Sequence, residues 1–595
     1  MSTIYNERIG ELRQWMRANA LDAVIVPLAD PHGSEYVASF WKSLRWLTGF
    51  SGSAAKCFVT PEETCVWVDS RYWLQAHKQL DESGIVVMEE GKPGVPSLTD
   101  YILAHHEAIK RVGIDGLLCS YKSAVEMRNE FSAAGIELVS IADPFAEIWK
   151  DRPGLPSDKL FVHPEEFAGE SAGSKLARLR GAMTEAGCEA VLIAELSEIA
   201  WLLNIRSNDV RCSPVAISYL YVDEKEAILY VDPQKLTPEM EAYLAKLNVK
   251  VSPYLTAASS IDEAVAGKKV MVDPSTASLI FMEMLSDRAV ELQSPVGLWK
   301  SVKNPVQVEG IKNAHIKDGV ALVKGFMELE RRMGAGERLT EIDVAEILER
   351  YRSGQPLFLE LSFDTIAGYG ANGAVVHYTA EPSTAAVLRP EGFLLVDSGA
   401  TYLDGTTDIT RTIALGPLTK EMKRDFTLVL KGHVDLARAV FPVGTRGAQL
   451  DVLARADMWR YGLTYLHGTG HGVGQCLNVH EGPQSIRLQE NPVALLPGML
   501  TSDEPGIYRA GRYGIRTENL LLTVPAFSNE EYGEFLCFES VTLFPYDLSA
   551  VDSSLLNKDE IAWINEYHDR VYSALSPYLD EAECCWLRAK CGHVE

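Results

Sequence analysis

One stretch of this chain occurs twice, and a repeat of that kind narrows the folds open to its first half. Leu12, Arg13, Met16, Ala23 and Val24 recur as Leu179, Arg180, Met183, Ala190 and Val191, at a constant offset of 167. RWLTGF at 45–50 is echoed by AWLLNI at 200–205, and VWVD at 66–69 by LYVD at 229–232, at slightly shorter offsets. Three matches in the same order favour an internal duplication over chance. Within the first copy, Ile9, Leu12, Trp15 and Met16 fall on one stripe of a helix predicted over residues 6–19. DAVIVPL reads as a buried parallel strand, and CFVT and TCVWVD as two strands joined by the turn PEE. The alternation predicts an α/β domain over residues 1–157, closed by the turn-rich KDRPGLPSD, and a second copy over 158–304 that ends near KNPVQ.

From Val308 the pattern changes. Residues 308–333 and 340–353 read as helices, the second with Thr340 as its cap. Strand-like segments follow in LELSFDTIAG, TAAVLRPEGFLLVDSGA and TTDITRTIALG, then helices at about 419–439 and 447–461. Residues 305–595 therefore form an α+β domain. A chain of 595 residues exceeds what one core supports, so three or four domains are in proportion.

Charge and cysteine usage exclude several functions. Lys+Arg 56 against Asp+Glu 82 leaves −26 at pH 7, a field that repels phosphate backbones and anionic membrane surfaces. No nucleic-acid or membrane partner is expected. The ten cysteines are scattered without CxxC spacing, the opening MSTIYNERIGELRQWM has charges where a signal peptide is apolar, and no run of eighteen apolar residues occurs. These features predict a reduced, cytoplasmic enzyme.

The chemistry is concentrated between residues 377 and 518. His377 stands in AVVHYT, Asp397 in FLLVDSGA, Asp408 in TTDITRT, His467 and His471 in HGTGHGVG, His480 in NVHEGP, Glu504 in SDEPG and Glu518 in IRTENLL. Taken singly, each has a plain structural reading. An Asp at a strand end caps a turn, a lone His is a hydrogen-bonded core residue, and HGTGHGVG lacks the GKS or GKT ending of a phosphate loop. Ser362, Ser398 and Ser485 lack the GxSxG setting of a nucleophile. Taken together, carboxylates with imidazole suit Mn²⁺, Co²⁺ or Mg²⁺, with Zn²⁺ an option. Four carboxylates carry more charge than one divalent ion needs, whereas two ions about 3.5–4 Å apart would balance it.

That arrangement makes demands on chain register. A two-residue turn at Asp404–Gly405 would offset Asp397 and Asp408 by four residues, about 13 Å, which is too far to share a metal pair. The chain must therefore reverse earlier, nearer Tyr402–Leu403. Glu504 and Glu518 would face each other across a reversal centred on Gly511.

The order D-x10-D…H…E…E with these flanks resembles the pita-bread metallopeptidases, and within them the aminopeptidase P family. The resemblance covers essentially the whole chain, including the tandem N-terminal domains and the tail FPYDLSAVDSSLL. It implies two creatinase-N-like α/β domains followed by a pita-bread catalytic domain. Asp397, Asp408, His471, Glu504 and Glu518 match the five metal ligands of the family. His377, His467 and His480 match its three further active-site histidines, and Arg516 the arginine beside the last ligand. The implied activity is hydrolysis of the bond between an N-terminal residue and a following proline, by a water bridging two divalent ions, manganese first, with cobalt or zinc as alternatives. Glu504 would accept the water proton, His377 and His480 would stabilise the carbonyl oxygen or move protons, and His467 would line the proline side.

The implied substrates are peptides with proline second, and the implied assembly is a homodimer. A prolidase-type dipeptidase, a metal-free creatinase and a non-catalytic binding protein on the same fold are the alternatives. Five intact ligands argue against the last two, and the duplicated N-terminal half argues against the first. SDEPG departs from the more usual SNEPG, at a position that is not a ligand. Arg71 in DSRYWLQA is expected to hold a strand-to-helix turn by an ion pair or, in the sharper reading, to reach an active site across a dimer. Trp459 is expected in the core or at a dimer interface.

Overall fold

The computed structural model describes residues 2–595 and divides into two compact units, Met1–Pro164 with Glu170–Val296, and Glu165–Gly169 with Gly297–Glu595. The first unit holds two six-stranded sheets. One has the order Val86–Glu89, Thr64–Val68, Lys56–Val59, Ala23–Pro27, Arg111–Asp115, Glu137–Ile141. The other has Val249–Ser252, Ala227–Val231, Ser218–Asp223, Ala190–Ile193, Val270–Val272, Ala289–Glu291. Across both, neighbouring strands run parallel, antiparallel, antiparallel, parallel, parallel. The repeat in the sequence is thus a repeat of the sheet. DAVIVPL is parallel to one neighbour only, because its other partner, Lys56–Val59, returns antiparallel.

The repeated residues do the same work in each copy. Leu12 and Met16 on Ser2–Ala18, and Leu179 and Met183 on Ala172–Glu185, are all buried. Arg13 Nε donates to the Thr60 carbonyl at 2.8 Å, and Arg180 Nε to the Asp223 carbonyl at 2.8 Å. Each arginine ties its helix to the end of the third strand of its sheet. Arg71 grips Asp69 with both Nε and Nη2, at 3.0 and 2.7 Å, where Thr64–Val68 leads into the helix Trp73–Leu80.

The second unit opens with Pro305–Gly334, a helix of 30 residues capped by Asn304, followed by Glu341–Ser353, where Thr340 and Asp343 form a capping box. Lys420–Ala437 and Gly447–Trp459 match the later helical patterns. Trp459, at the end of its helix, is exposed. Of TAAVLRPEGFLLVDSGA, Phe393–Ser398 is strand and Ala400 opens the next, Ala400–Tyr402, whereas Pro390 and a left-handed Gly392 break the extended run before them. A six-stranded sheet, Val440–Pro442, Gly533–Ser540, Asn519–Asn529, Leu500–Asp503, Gly470–Gly472, Glu481–Ile486, carries the histidine and glutamate islands. A three-stranded sheet, Ile366–Tyr369, Phe393–Ser398, Ile409–Ala414, carries the aspartates. The largest core cluster, with Val323, Phe326, Leu394, Val429 and Ile515 among its members, packs the helices onto these sheets. Among the described residues no helix is long and apolar enough to cross a membrane.

Candidate metal centre

Two reversals bring the four carboxylates together. Thr401 faces Thr406 and Tyr402 faces Gly405, so the first reversal is the two-residue turn Leu403–Asp404, pinned by Lys317 on Asp404 Oδ1 at 2.5 Å. It falls one residue before Asp404–Gly405 and one after Tyr402–Leu403. Asp397 faces Thr410, and Thr407 N donates to Ala400 O in the same register, which sets Asp408 level with Gly399. Asp397 and Asp408 are therefore diagonal neighbours on one face, within reach of a shared site without standing opposite each other. The second reversal is centred on Gly511, whose φ of +70 suits glycine. Gly506 faces Arg516 and Thr517 N reaches Pro505 O, which brings Glu504 level with Glu518.

His471 joins them from Gly470–Gly472. Its Nδ1 lies 2.9 Å from the Gly472 carbonyl, so Nδ1–H donates there and Nε2 keeps its lone pair. That Nε2 is 3.5 Å from Asp408 Oδ2 and 3.6 Å from Glu504 Oε1. One ligand atom each from Asp408, His471 and Glu518 lie within 4.8 Å of one another.

Arg516, almost wholly buried, organises the remainder. Its Nη2 donates to Asp397 Oδ2 at 2.6 Å and to the Val376 carbonyl at 3.4 Å, Nε to Thr410 Oγ1 at 3.2 Å, and Nη1 to the Tyr508 hydroxyl at 2.8 Å. Thr410 Oγ1 in turn donates to Glu518 Oε2 at 2.8 Å. The Tyr508 hydroxyl meets His467 Nε2 at 2.8 Å, while His467 Nδ1 is 2.8 Å from the Gly468 carbonyl. His480 sets its ring across that of His471, with centroids 4.3 Å apart and planes at 81°. His377 is half-buried in the turn after Gly370–Ala374, next to the Val376 carbonyl that Arg516 holds. The structure thus joins all nine singled-out residues in one neighbourhood, His377 through its chain neighbour.

The donor set fits cations. Asp397 Oδ1, Asp408 Oδ1 and Glu518 Oε1 are buried with no hydrogen-bond partner. Burial drives Asp408 and Glu518 well above the usual carboxylate range, helped by repulsion from Asp397 at Asp408 and from Asp408 at Glu518. Burial also pushes Glu504 up to about 7, with Asp408 and Asp397 adding to the rise. Carboxylates so placed are stabilised as anions by a metal ion among them.

Several functional neighbours escaped the sequence reading. Tyr508 stands on the strand Gly506–Arg509, four residues beyond Glu504, and no strand period marked it, because the chain leaves the strand at Glu504 and Pro505. Behind the glutamates, Asp503 faces Asn519 across two strands. His433 Nδ1 hydrogen-bonds the Asp503 carbonyl and stands beside Asp503 Oδ2, at 3.1 Å each, and its Nε2 meets the Tyr546 hydroxyl, which also receives Asn519 Nδ2, at 2.8 Å each. Arg411 Nη1 holds the Glu518 carbonyl at 2.6 Å. Asp503, the residue that departs from SNEPG, therefore belongs to a buried network on the far side of the strand from Glu504.

Comparison with known proteins agrees along the whole length. Residues 8–148 and 151–307 each match the Creatinase/Prolidase N-terminal domain. Residues 309–525 match metallopeptidase family M24, and 534–594 the C-terminal region of peptidase M24. Aminopeptidase P2 of Arabidopsis thaliana is 39% identical over 97% of this chain and 87% of its own. A probable Xaa-Pro aminopeptidase P of Talaromyces marneffei is 38% identical over 98% and 91%. The crystal structure of X-prolyl aminopeptidase from Caenorhabditis elegans, described as a cytosolic enzyme with a di-nuclear active site, superposes with a TM-score of 0.95 at 35% identity, covering 99% of this chain and 100% of that one. With its tandem N-terminal domains, its ligand-bearing catalytic domain and full-length relatives at this identity, the chain belongs to the aminopeptidase P family of M24 metallopeptidases.

Proposed function

We propose that the chain is a cytoplasmic, metal-dependent aminopeptidase that hydrolyses the bond between an N-terminal residue and a following proline, in domains of residues 1–157, 158–304 and 305–595. The observation that carries this reading is the convergence of Asp408, His471 and Glu518 on one point in a chain alike in full length to Xaa-Pro aminopeptidases. Asp397, Asp408, His471, Glu504 and Glu518 would hold two divalent ions, manganese first, since four carboxylates against Arg516 leave about three negative charges to balance. When bound, such ions would polarise the scissile carbonyl and lower the pKa of the attacking water.

The protein groups do the rest. A carboxylate oxygen of Glu504 takes the proton of the attacking water and returns it to the proline nitrogen as the C–N bond breaks. His480 and His377 donate toward the carbonyl oxygen as it gains charge. Arg516 fixes Asp397 and, through Tyr508, keeps Nε2 of His467 as an acceptor on the proline side. The proposed assembly is a homodimer, with exposed Trp459 as an aromatic anchor.

Hydrolysis of an Xaa-Pro-Xaa tripeptide, with metal analysis and with and without chelator, tests the reading. Chelator-sensitive cleavage before proline is expected. Cleavage of Xaa-Pro dipeptides alone would point to a prolidase-type enzyme, and a metal-loaded protein without turnover would point to a binding protein.

A further inference from the structure

Immediately beyond His480 lies a buried ionic cluster that the proposed chemistry does not use. Glu481 is almost fully buried, with Lys303 Nζ 2.5 Å from its Oε1 and Lys300 Nζ 3.1 Å from its Oε2. Lys303 Nζ also donates to the Lys300 carbonyl at 2.8 Å, closing the end of the helix Pro295–Ser301. Despite burial, the two lysines hold the Glu481 carboxyl below its usual value. Three desolvated charges are a costly way to fill space, and apolar side chains of similar volume often stabilise a fold as well or better. Apolar packing, however, leaves a residue free to shift and rotate. Here Lys303 hydrogen-bonds one oxygen of the carboxylate and the Lys300 ammonium is ion-paired with the other, which restrains both its place and its rotation.

The cluster stands where that control matters. The ladder between Gly470–Gly472 and Glu481–Ile486 pairs His471 with Ser485 and then Gly472 with Glu481, so residues 482–484 are looped out at this step. The added Cβ of a residue at 472 would lie 2.1 Å from the Glu481 carbonyl oxygen, so the two backbones touch here. Glu481 is turned to the lysines, and the ring of its chain neighbour His480, in the bend just before the strand, stands against that of His471.

We propose that Lys300, Lys303 and Glu481 form a buried clamp that positions His480 for the reaction, an inference that rests on the function proposed above. None of the three touches the reacting atoms, so they are positioning residues.

The test is steady-state kinetics of the full-length, metal-loaded protein on an Xaa-Pro-Xaa tripeptide. Lys303→Met leaves one lysine to one carboxylate, a balanced buried pair. It is expected to lower kcat at least tenfold, with KM within threefold and bound metal unchanged, and Lys303→Arg should recover most of the loss. In a His480→Ala background, Lys303→Met should cost less than a further twofold, because the group it positions is gone. Should Lys303→Met fail to fold by circular dichroism, Lys300→Met carries the same comparison. A kcat within twofold of the parent, or losses that multiply in the double variant, would overturn the clamp alone. Full turnover by His480→Ala would overturn both the clamp and the role given to His480.

Discussion

Gly470 offers the sharpest test of how the site is built. An alanine methyl there would lie 1.9 Å from the Ser502 carbonyl oxygen, a backbone atom of the neighbouring strand two residues before Glu504. A carbon and a carbonyl oxygen normally come no closer than about 3.3 Å, so the strands must part by roughly 1.4 Å. Overpacking of this kind costs about 1–3 kcal/mol, a fall in Tm of roughly 2–5 °C for a domain of this size, which leaves it folded. The displacement falls between His471 and Glu504, whose side chains are 3.6 Å apart. A misplacement of about 1 Å in an active site costs on the order of 100-fold in rate.

Gly470→Ala is therefore expected to keep its circular dichroism spectrum and lose about two orders of magnitude in tripeptide hydrolysis. Bound metal should fall as well. Gly468→Ala is the control, since its methyl would meet Arg487 Cβ at 3.6 Å, an ordinary contact, and activity should stay within twofold. Turnover above half of normal in Gly470→Ala, with an unchanged Tm, would refute the argument that strand proximity sets the ligand geometry.

Other predictions follow from the same geometry. Glu504→Gln should lower turnover by at least 100-fold with the fold intact, and near-normal kinetics would remove Glu504 as the base. In the chelated protein the raised Glu504 pKa means that the folded state binds more protons than the unfolded one, so stability is lost as pH rises from the ordinary carboxylate value through about 7. The Tm advantage of Glu504→Gln over the parent in EDTA should then be larger at pH 8 than at pH 5.5, and the reverse ranking would contradict that linkage. Asp318→Asn breaks the buried pair in which Arg352 Nε and Nη2 reach both Asp318 oxygens at 2.8 and 2.9 Å. It should cost about 3–5 kcal/mol in denaturant unfolding. A loss under 1 kcal/mol would show that Arg352 finds other partners.

Much of the architecture was legible before any coordinate. The repeated Leu12, Arg13 and Met16 marked the duplicated sheet because helix burial and a helix-to-strand tie recur wherever the unit recurs. Thr340 with Asp343 marked a helix start by a local capping rule. The reversal at Gly511 was legible because only one glycine stands midway between Glu504 and Glu518. The first reversal was only bracketed, since Leu403–Asp404 is held by Lys317, 87 positions earlier, which no turn rule reads.

The amino-acid order by itself determined which donors exist and which of them stand on glycine-flanked strands. Metal chemistry admits few side chains, and strand periodicity assigns their faces. Tertiary structure decided the diagonal setting of Asp397 and Asp408 and the hold of Arg516 on Asp397, Thr410 and Tyr508. It also decided the His433–Asp503 pair and the lysines on Glu481. Most of these contacts join residues far apart in the chain, and all are selected by packing and by the need to satisfy buried polar and charged groups, which a local pattern does not specify.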